Sequence, residues 1–361
     1  MKQFILIVLA TRDLLIRKVP FLATKRYSFA FLVHPRNLPD VFKKYPFAKY
    51  IPPKFLSFFL LHFWPVVISE ITGLKYVKTG KSLTGVIISI PLTPSQMLQN
   101  RQLATKKILQ GITLAGKMGA SITGLGAFTS SITGGGRDIV DSAKTFITNG
   151  NSLTAATTVT EVEHIIRKTP KNVRTIAVVG ATGSIGSAVS KILISRYGNL
   201  SFILVGKTPA NVSRLEQEVR ALNSPARVQT TTHIGEINRA DLIVVATTAD
   251  GAIIHSKHIK HRAVVYDITQ PQNTPEGVRN ERKDVCFIDG GLLKTPDIDY
   301  NFNFGIPREM AFSCLAETMI LAAEKLRANY SIGMVSISKV KEMSHLAKIY
   351  NFFPVHNTHN I

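Results

Sequence analysis

The segment VVGATGSIGSAV at 178–189 constrains this chain more than any other stretch. It joins an apolar, β-prone run to a helical pattern through Gly180, Gly183 and Gly186. Glycines at such a junction permit a tight turn. They also let backbone N–H groups at a helix N-terminus approach a pyrophosphate, whose charge the helix dipole favours. The spacing, G-x-x-G-x-x-G, is one residue wider at its start than the usual dinucleotide fingerprint. Short β-rich runs alternate with polar helical ones around it, at 174–180, 201–206, 227–232, 241–248, 262–268 and 284–290. Continuous apolar strands of that length belong in a parallel sheet covered on both faces. Six of them joined by crossovers predict a doubly wound α/β (Rossmann) dinucleotide domain over 169–308, with Thr182, Ser184 and Ile185 lining the phosphates beside the three glycines.

Twenty residues past Gly186, at the end of the second predicted strand, a coenzyme with a free ribose 2′-OH is usually met by Asp or Glu. Here the sequence is Gly206-Lys207-Thr208. A cation stands where a 2′-phosphate would lie, so Lys207 and Thr208 favour NADPH over NADH, with Arg214 available to assist.

At 361 residues the chain exceeds what one core usually fills, and 45% apolar residues can bury two. Residues 1–168 form the expected N-terminal α/β substrate domain, and 309–361 a closing helical segment. Within the first, apolar positions between Ser95 and Gly119 fall near helical spacing. A Gly/Ser/Thr-rich stretch follows at 122–136, then turn and cap residues at Asn149–Ser152 ahead of a helix ending near Arg167. Pro170 marks the boundary. Glu309 to Lys325 reads as a further helix.

Two cysteines, Cys286 and Cys314, are too few for a disulfide framework, and no Cys/His cluster has metal-ligand spacing. A reducing, cytoplasmic setting fits. Cys286 lies inside a predicted strand and reads as packing. Cys314, near a predicted helix start, is either a packing residue or a thiol partly ionised by the helix dipole. His255, His258 and His261 read as a solvated face.

Lys and Arg number 44 against 23 acids, a formal charge of +21, which calls for an anionic partner. Residues 1–64 hold 14 of the 29 aromatics with 11 basic residues and two acids. Basic groups interleaved with rings suit an anionic membrane surface, at the inner face of the membrane, better than nucleic acid; a helical cap with its aromatics packed inward is the plain alternative. The apolar runs 4–10 and 55–68 are both too short to span a bilayer.

Four blocks carry a resemblance: GLGAFTSS at 124–131, NGNSLTAATT at 149–158, VVGATGSIGSA at 178–188 and MAFSCLAETM at 310–319. In order and spacing they resemble the long-chain acyl-[acyl-carrier-protein] reductases, over roughly Pro65 to Tyr330. The resemblance implies NADPH-dependent reduction of a fatty acyl thioester, on acyl carrier protein or coenzyme A, to an aldehyde. It implies Cys314 as the acylated nucleophile, with N–H groups of 124–131, Asn151 or Thr154 as oxyanion donors. The basic, aromatic start departs from that family and marks a distinct branch. Two other readings stand beside it: a shikimate- or amino-acid-dehydrogenase-like oxidoreductase acting on a small polar substrate, and a peripheral membrane module that binds NADPH without turning it over.

Overall fold

The computed structural model describes residues 10–16, 25–169, 173–247, 253–270 and 272–355. Most of the apolar run at 4–10, the predicted boundary residue Pro170 and Thr248 at the end of the fourth predicted strand lie outside them. The chain forms two compact units. The first comprises 1–150, 294–333 and 346–352; the second comprises 151–293, 334–345 and 353–361.

The first unit is built on a five-stranded sheet. Its strands are β1 (Phe29–Val33), β2 (Val66–Ile71), β3 (Gly85–Ser89), β4 (Ile122–Leu125) and β5 (Phe146–Thr148), in the order β2-β3-β1-β4-β5. All pairs are parallel except the edge pair β2–β3. Alternation along β1 sends Ala30 and Leu32 to one face, where they join Val86 and Ile88 in a core closed by a helix at Arg101–Lys117. The predicted 95–119 helix is in fact two, α3 (Pro94–Gln99) and α4 (Arg101–Lys117), following α1 (Leu38–Lys44) and α2 (Pro53–His62). Asn100 breaks it: its backbone leaves the helical region and its side chain accepts the Leu103 N–H at 2.9 Å, so one residue ends α3 and caps α4. Helix α5 (Phe128–Ile132) follows β4.

The second unit carries all six strands predicted from sequence: β6 (Thr175–Val179), β7 (Ser201–Val205), β8 (Arg227–Thr231), β9 (Leu242–Val245), β10 (Val264–Asp267) and β11 (Cys286–Asp289). Their order, β11-β10-β9-β6-β7-β8, is parallel throughout and doubly wound, with the direction of winding reversing between β6 and β9. Both faces of the central strands are buried, Ile176 and Val178 on one side and Ala177 and Val179 on the other. Helices α6 (Asn151–Lys168), α7 (Ser184–Arg196) and α8 (Pro209–Arg220) accompany the sheet.

The sequence boundaries at 168 and 308 differ from this division, and packing gives the reason. Helix α6 belongs to the second unit because Thr158 hydrogen-bonds the hydroxyl of Tyr266 on β10, a ring with no exposed surface to speak of. The predicted 309–325 helix, α9 (Ser313–Ala323), belongs to the first. It lies on the sheet face opposite α4, against β1 and β4, where a Cβ on Gly124 would meet Thr318 Oγ1 at 2.1 Å. Only a glycine lets the helix come that close. Among the described residues no helix is long and apolar enough to cross a membrane.

Candidate functional site

In the second unit, β6 ends in a loop that turns at once into α7. Gly180 has φ +84°, and a Cβ there would lie 2.4 Å from the Ala246 carbonyl just beyond β9. The loop therefore sits at the reversal of winding, where open α/β sheets bind ligands. A Cβ on Gly186 would come within 2.3 Å of the Gly180 carbonyl, so α7 is drawn tightly onto the end of its strand. Gly183, the cap of α7, is exposed and offers bare backbone. The first turn of a helix presents N–H groups that the helix itself does not use, and this cradle fits a pyrophosphate.

The flanking predicted residues divide by role. Ile185 is half-buried in the first turn of α7. Ser184 Oγ accepts the Val335 N–H at 3.2 Å, tying the helix start to the 334–345 segment of the same unit. Thr182 leans over Gly206 at the end of β7, so near that a Cβ on Gly206 would stand 2.5 Å from its methyl carbon. Beyond Gly206, Lys207 and Thr208 are both exposed, Thr208 as the cap of α8. No acid occupies this strand end to take a ribose 2′-OH, and a cation does, so the coenzyme is NADPH. Arg214, one turn into α8, is exposed and shares its charge with Glu218 at 3.8 Å.

Cys314 is the second residue of α9, and its thiol is half-buried. Backbone N–H groups of Leu315, of Cys314 itself and of Ala127 hydrogen-bond its sulfur. Burial nevertheless outweighs them, with a smaller push in the same direction from Glu317, and the thiol pKa is pushed up to about 12. Of the two readings of Cys314, this favours a buried, protonated thiol over one partly ionised by the helix dipole: the helix start is present, but desolvation outweighs it.

Three segments, the start of α9 among them, meet at this cysteine within the first unit. Gly150 has φ +76°, and a Cβ on it would lie 2.2 Å from the Cys314 Cβ, so the 149–158 and 310–319 blocks meet at a position only glycine can fill. Thr148 Oγ1 accepts the Gly150 N–H at 3.2 Å and donates to the buried carboxylate side chain of Glu317 at 2.5 Å, which fixes that turn to α9. The third segment is the loop after β4. Ala127 adopts φ 48°, ψ −125°, a conformation costly for a residue with a Cβ, on the order of 1–3 kcal/mol.

The loop is held there by its neighbours. The Gly126 N–H donates to the Leu32 carbonyl at 3.0 Å, and Thr129 Oγ1 donates to the Gly126 carbonyl at 2.7 Å. The Phe128 N–H donates to His34 Nε2 at 3.2 Å, so the ring proton sits on Nδ1 and is donated to the Pro35 carbonyl at 3.0 Å. Burial lowers the His34 pKa and keeps the ring neutral. His34 and Thr148 carry no motif that sequence inspection could isolate, because their partners are 94 and 169 positions away; Gly150 lies within the 149–158 block, but its place beside Cys314 forms only on folding.

Asn151 opens α6, and Thr154 is buried in it, so both belong to the second unit. Cys286 is half-buried in β11, its thiol pKa raised by burial. His258 is buried rather than solvated, whereas His261 is exposed and meets Asp284 at 2.8 Å. Among the described residues no His, Cys, Asp and Glu group could hold a metal ion.

Comparison with known proteins places the chain among NAD(P)-dependent oxidoreductases. The shikimate/quinate 5-dehydrogenase family model matches residues 161–290, most of the doubly wound unit. Over 285 residues and 76% of its length the chain is 27% identical to the aminotransferase PigE of Serratia sp., spanning about one third (33%) of that protein. Among solved structures, L-tryptophan dehydrogenase from Nostoc punctiforme aligns with 91% of the chain and 80% of its own, at 13% identity and a TM-score of 0.38. The long-chain acyl-[acyl-carrier-protein] reductase of Synechococcus elongatus is 30% identical over 318 residues, covering 82% of this chain and 90% of that protein. The chain is an NAD(P)-dependent oxidoreductase and belongs to the long-chain acyl-[acyl-carrier-protein] reductase family.

Proposed function

We propose that the protein reduces a long-chain fatty acyl thioester, borne by acyl carrier protein or coenzyme A, to a fatty aldehyde through an acyl group held on Cys314. The observation that carries this reading is the sulfur itself, half-buried at the start of α9, with three backbone N–H groups aimed at it and a side-chain-free Gly150 beside it.

In the first step the Cys314 sulfur attacks the thioester carbonyl carbon. The bond from that carbon to the carrier sulfur breaks, and the carrier leaves as a thiol with the proton that Cys314 gives up. With a pKa of about 12 the thiolate fraction at neutral pH is on the order of 10⁻⁵, so the thiol does not react with passing electrophiles until a substrate engages it. The N–H groups of Ala127 and Leu315 hold negative charge at the sulfur as it develops, and Ala127 is locked in place before the reaction, which is where preorganised donors are worth most. Thr148 and Glu317 hold the Gly150 turn against the start of α9, where the absence of a side chain leaves room beside the cysteine. NADPH, when bound by the glycine cradle and Lys207, supplies the hydride that reduces the acyl group.

A direct test omits the coenzyme. The protein incubated with palmitoyl thioester, on coenzyme A or carrier protein, is expected to gain one acyl mass, mapped to Cys314 and absent in Cys314→Ala. Addition of NADPH should then discharge the adduct as hexadecanal. The family match over 161–290 favours a second reading, oxidation or reduction of a small polar substrate with no covalent step. Under it Cys314→Ala keeps its turnover, and no adduct forms at any chain length.

A further inference from the structure

We propose that the exposed aromatic face of α2 docks the protein on an anionic lipid bilayer. This goes beyond the reaction above and does not rest on it. Helix α2 has two apolar faces where a surface helix needs one. Leu56 and Leu60 are buried and seat it on the first unit. Phe55, Phe58 and Phe59, at helical spacing on the other side, are 62%, 55% and 53% exposed, and His62 extends their stripe with its ring 4.4 Å from that of Phe58. Tyr50, just ahead of the helix, is 78% exposed. Three neighbouring phenylalanines standing in water are costly unless something apolar receives them.

The helix is also fixed rigidly in that pose. Lys107, itself buried on α4, donates to the Leu60 carbonyl at 3.1 Å and to that of Phe63, satisfying the helix C-terminus with a cation. The stripe therefore cannot roll inward.

Charge identifies the occupant. Between Asp40 and Glu70 the sequence has four lysines and no acid. Lys43 pairs with Asp40 at 2.9 Å and Lys44 donates to the Ile68 carbonyl, while Lys49 and Lys54 are exposed and make no ion pair among the described residues. Lys49 lies 4.9 Å over the Tyr50 ring. Rings at headgroup depth flanked by lysines that reach lipid phosphates are the elements of an interfacial helix. A second copy of the chain would set Lys49 and Lys54 against their own counterparts in a molecule of charge +21, which disfavours self-association.

The test uses the full chain and vesicles of phosphatidylcholine, with or without one quarter phosphatidylglycerol, in a flotation assay. Binding is expected only with the anionic lipid and should fall at least tenfold in 0.5 M NaCl. Trp64, the sole tryptophan, lies two residues past α2, so quenching of its fluorescence by brominated phosphatidylcholine mixed into the anionic vesicles reports contact at this helix. The triple variant Phe55→Ser/Phe58→Ser/Phe59→Ser should lose at least tenfold in vesicle partition with its thermal melt unchanged. Lys49→Glu/Lys54→Glu, which removes no buried side chain, should weaken binding to anionic vesicles. Unaltered flotation in both variants overturns the proposal. So does a sedimentation change showing that the phenylalanines join two copies, or binding of acidic carrier protein that the triple variant loses while vesicle binding persists.

Discussion

The glycine loop after β6 and the surroundings of Cys314 are built with opposite economies of sequence. In the reaction proposed above, each brings backbone N–H groups to negative charge beside a glycine that no side chain could replace. The first does so within residues 180–186, one unbroken segment. The second gathers Ala127 after β4, Gly150 after β5 and the start of α9, with His34 after β1 holding the loop from behind. A loop encoded locally tolerates change elsewhere in the chain. A site assembled from four segments depends on every one of them.

Glycine substitutions sharpen this contrast most. Gly150→Ala places a Cβ 2.2 Å from that of Cys314 at a backbone angle that alanine resists, and should lower acylation at least a hundredfold while NADPH binding is retained. Gly186→Ala drives a Cβ to 2.3 Å from the Gly180 carbonyl and should do the reverse, weakening NADPH binding, measured by fluorescence titration, with Cys314 still able to be acylated. If both variants lose both properties together, the two sites are not separable and the contrast fails.

The thiol itself gives the next largest effect. A pKa raised from 9.0 to about 12 cuts the thiolate fraction a thousandfold, and the higher nucleophilicity of a more basic thiolate offsets part of that. Alkylation of Cys314 by iodoacetamide should therefore run about fiftyfold slower than that of an ordinary exposed cysteine at pH 7.5. The rate should climb tenfold per pH unit from 7 to 10, followed by peptide mass mapping. A plateau near pH 8 would mean that the dipole and the N–H groups prevail over burial after all.

The same contrast explains what was legible in the sequence. Periodic apolar runs and a glycine triplet made all six strands of the doubly wound sheet and the glycine loop after the first of them readable, because each of these is a local pattern with a mechanical cause. Helix α9 was readable too, but its allegiance was not: nothing within Ser313–Ala323 announces that Gly124, far earlier in the chain, leaves a groove for Thr318. The division of the chain at Asn151 was not legible for the same reason, since α6 is tied to the second unit by Tyr266. Cys314 could be named by resemblance, whereas its basicity required knowing how deeply the fold buries it.

At the coenzyme end the expected effect is smaller, because Lys207 is exposed and solvent screens it. Lys207→Asp should lower NADPH affinity by about tenfold and improve that for NADH, the pattern of a charge meeting a 2′-phosphate. Equal losses for both coenzymes would instead assign Lys207 to the fold of the β7–α8 turn.

The smallest effect distinguishes the two units by stability. Glu161 on α6 is 2% exposed, and burial raises its pKa from 4.5 to about 8. Because the folded state holds this proton more tightly than the unfolded chain, the contribution is complete below pH 4.5 and is lost as pH rises toward 8. Each pH unit in that window is worth at most about 1.4 kcal/mol, so stability from this group should fall by about 1 kcal/mol between pH 6 and pH 7. Glu161→Gln, which is neutral at every pH, should flatten that slope in urea denaturation. The loss should appear in the second unit, since Tyr266 of β10, the ring against which α6 packs, feels the Glu161 charge directly.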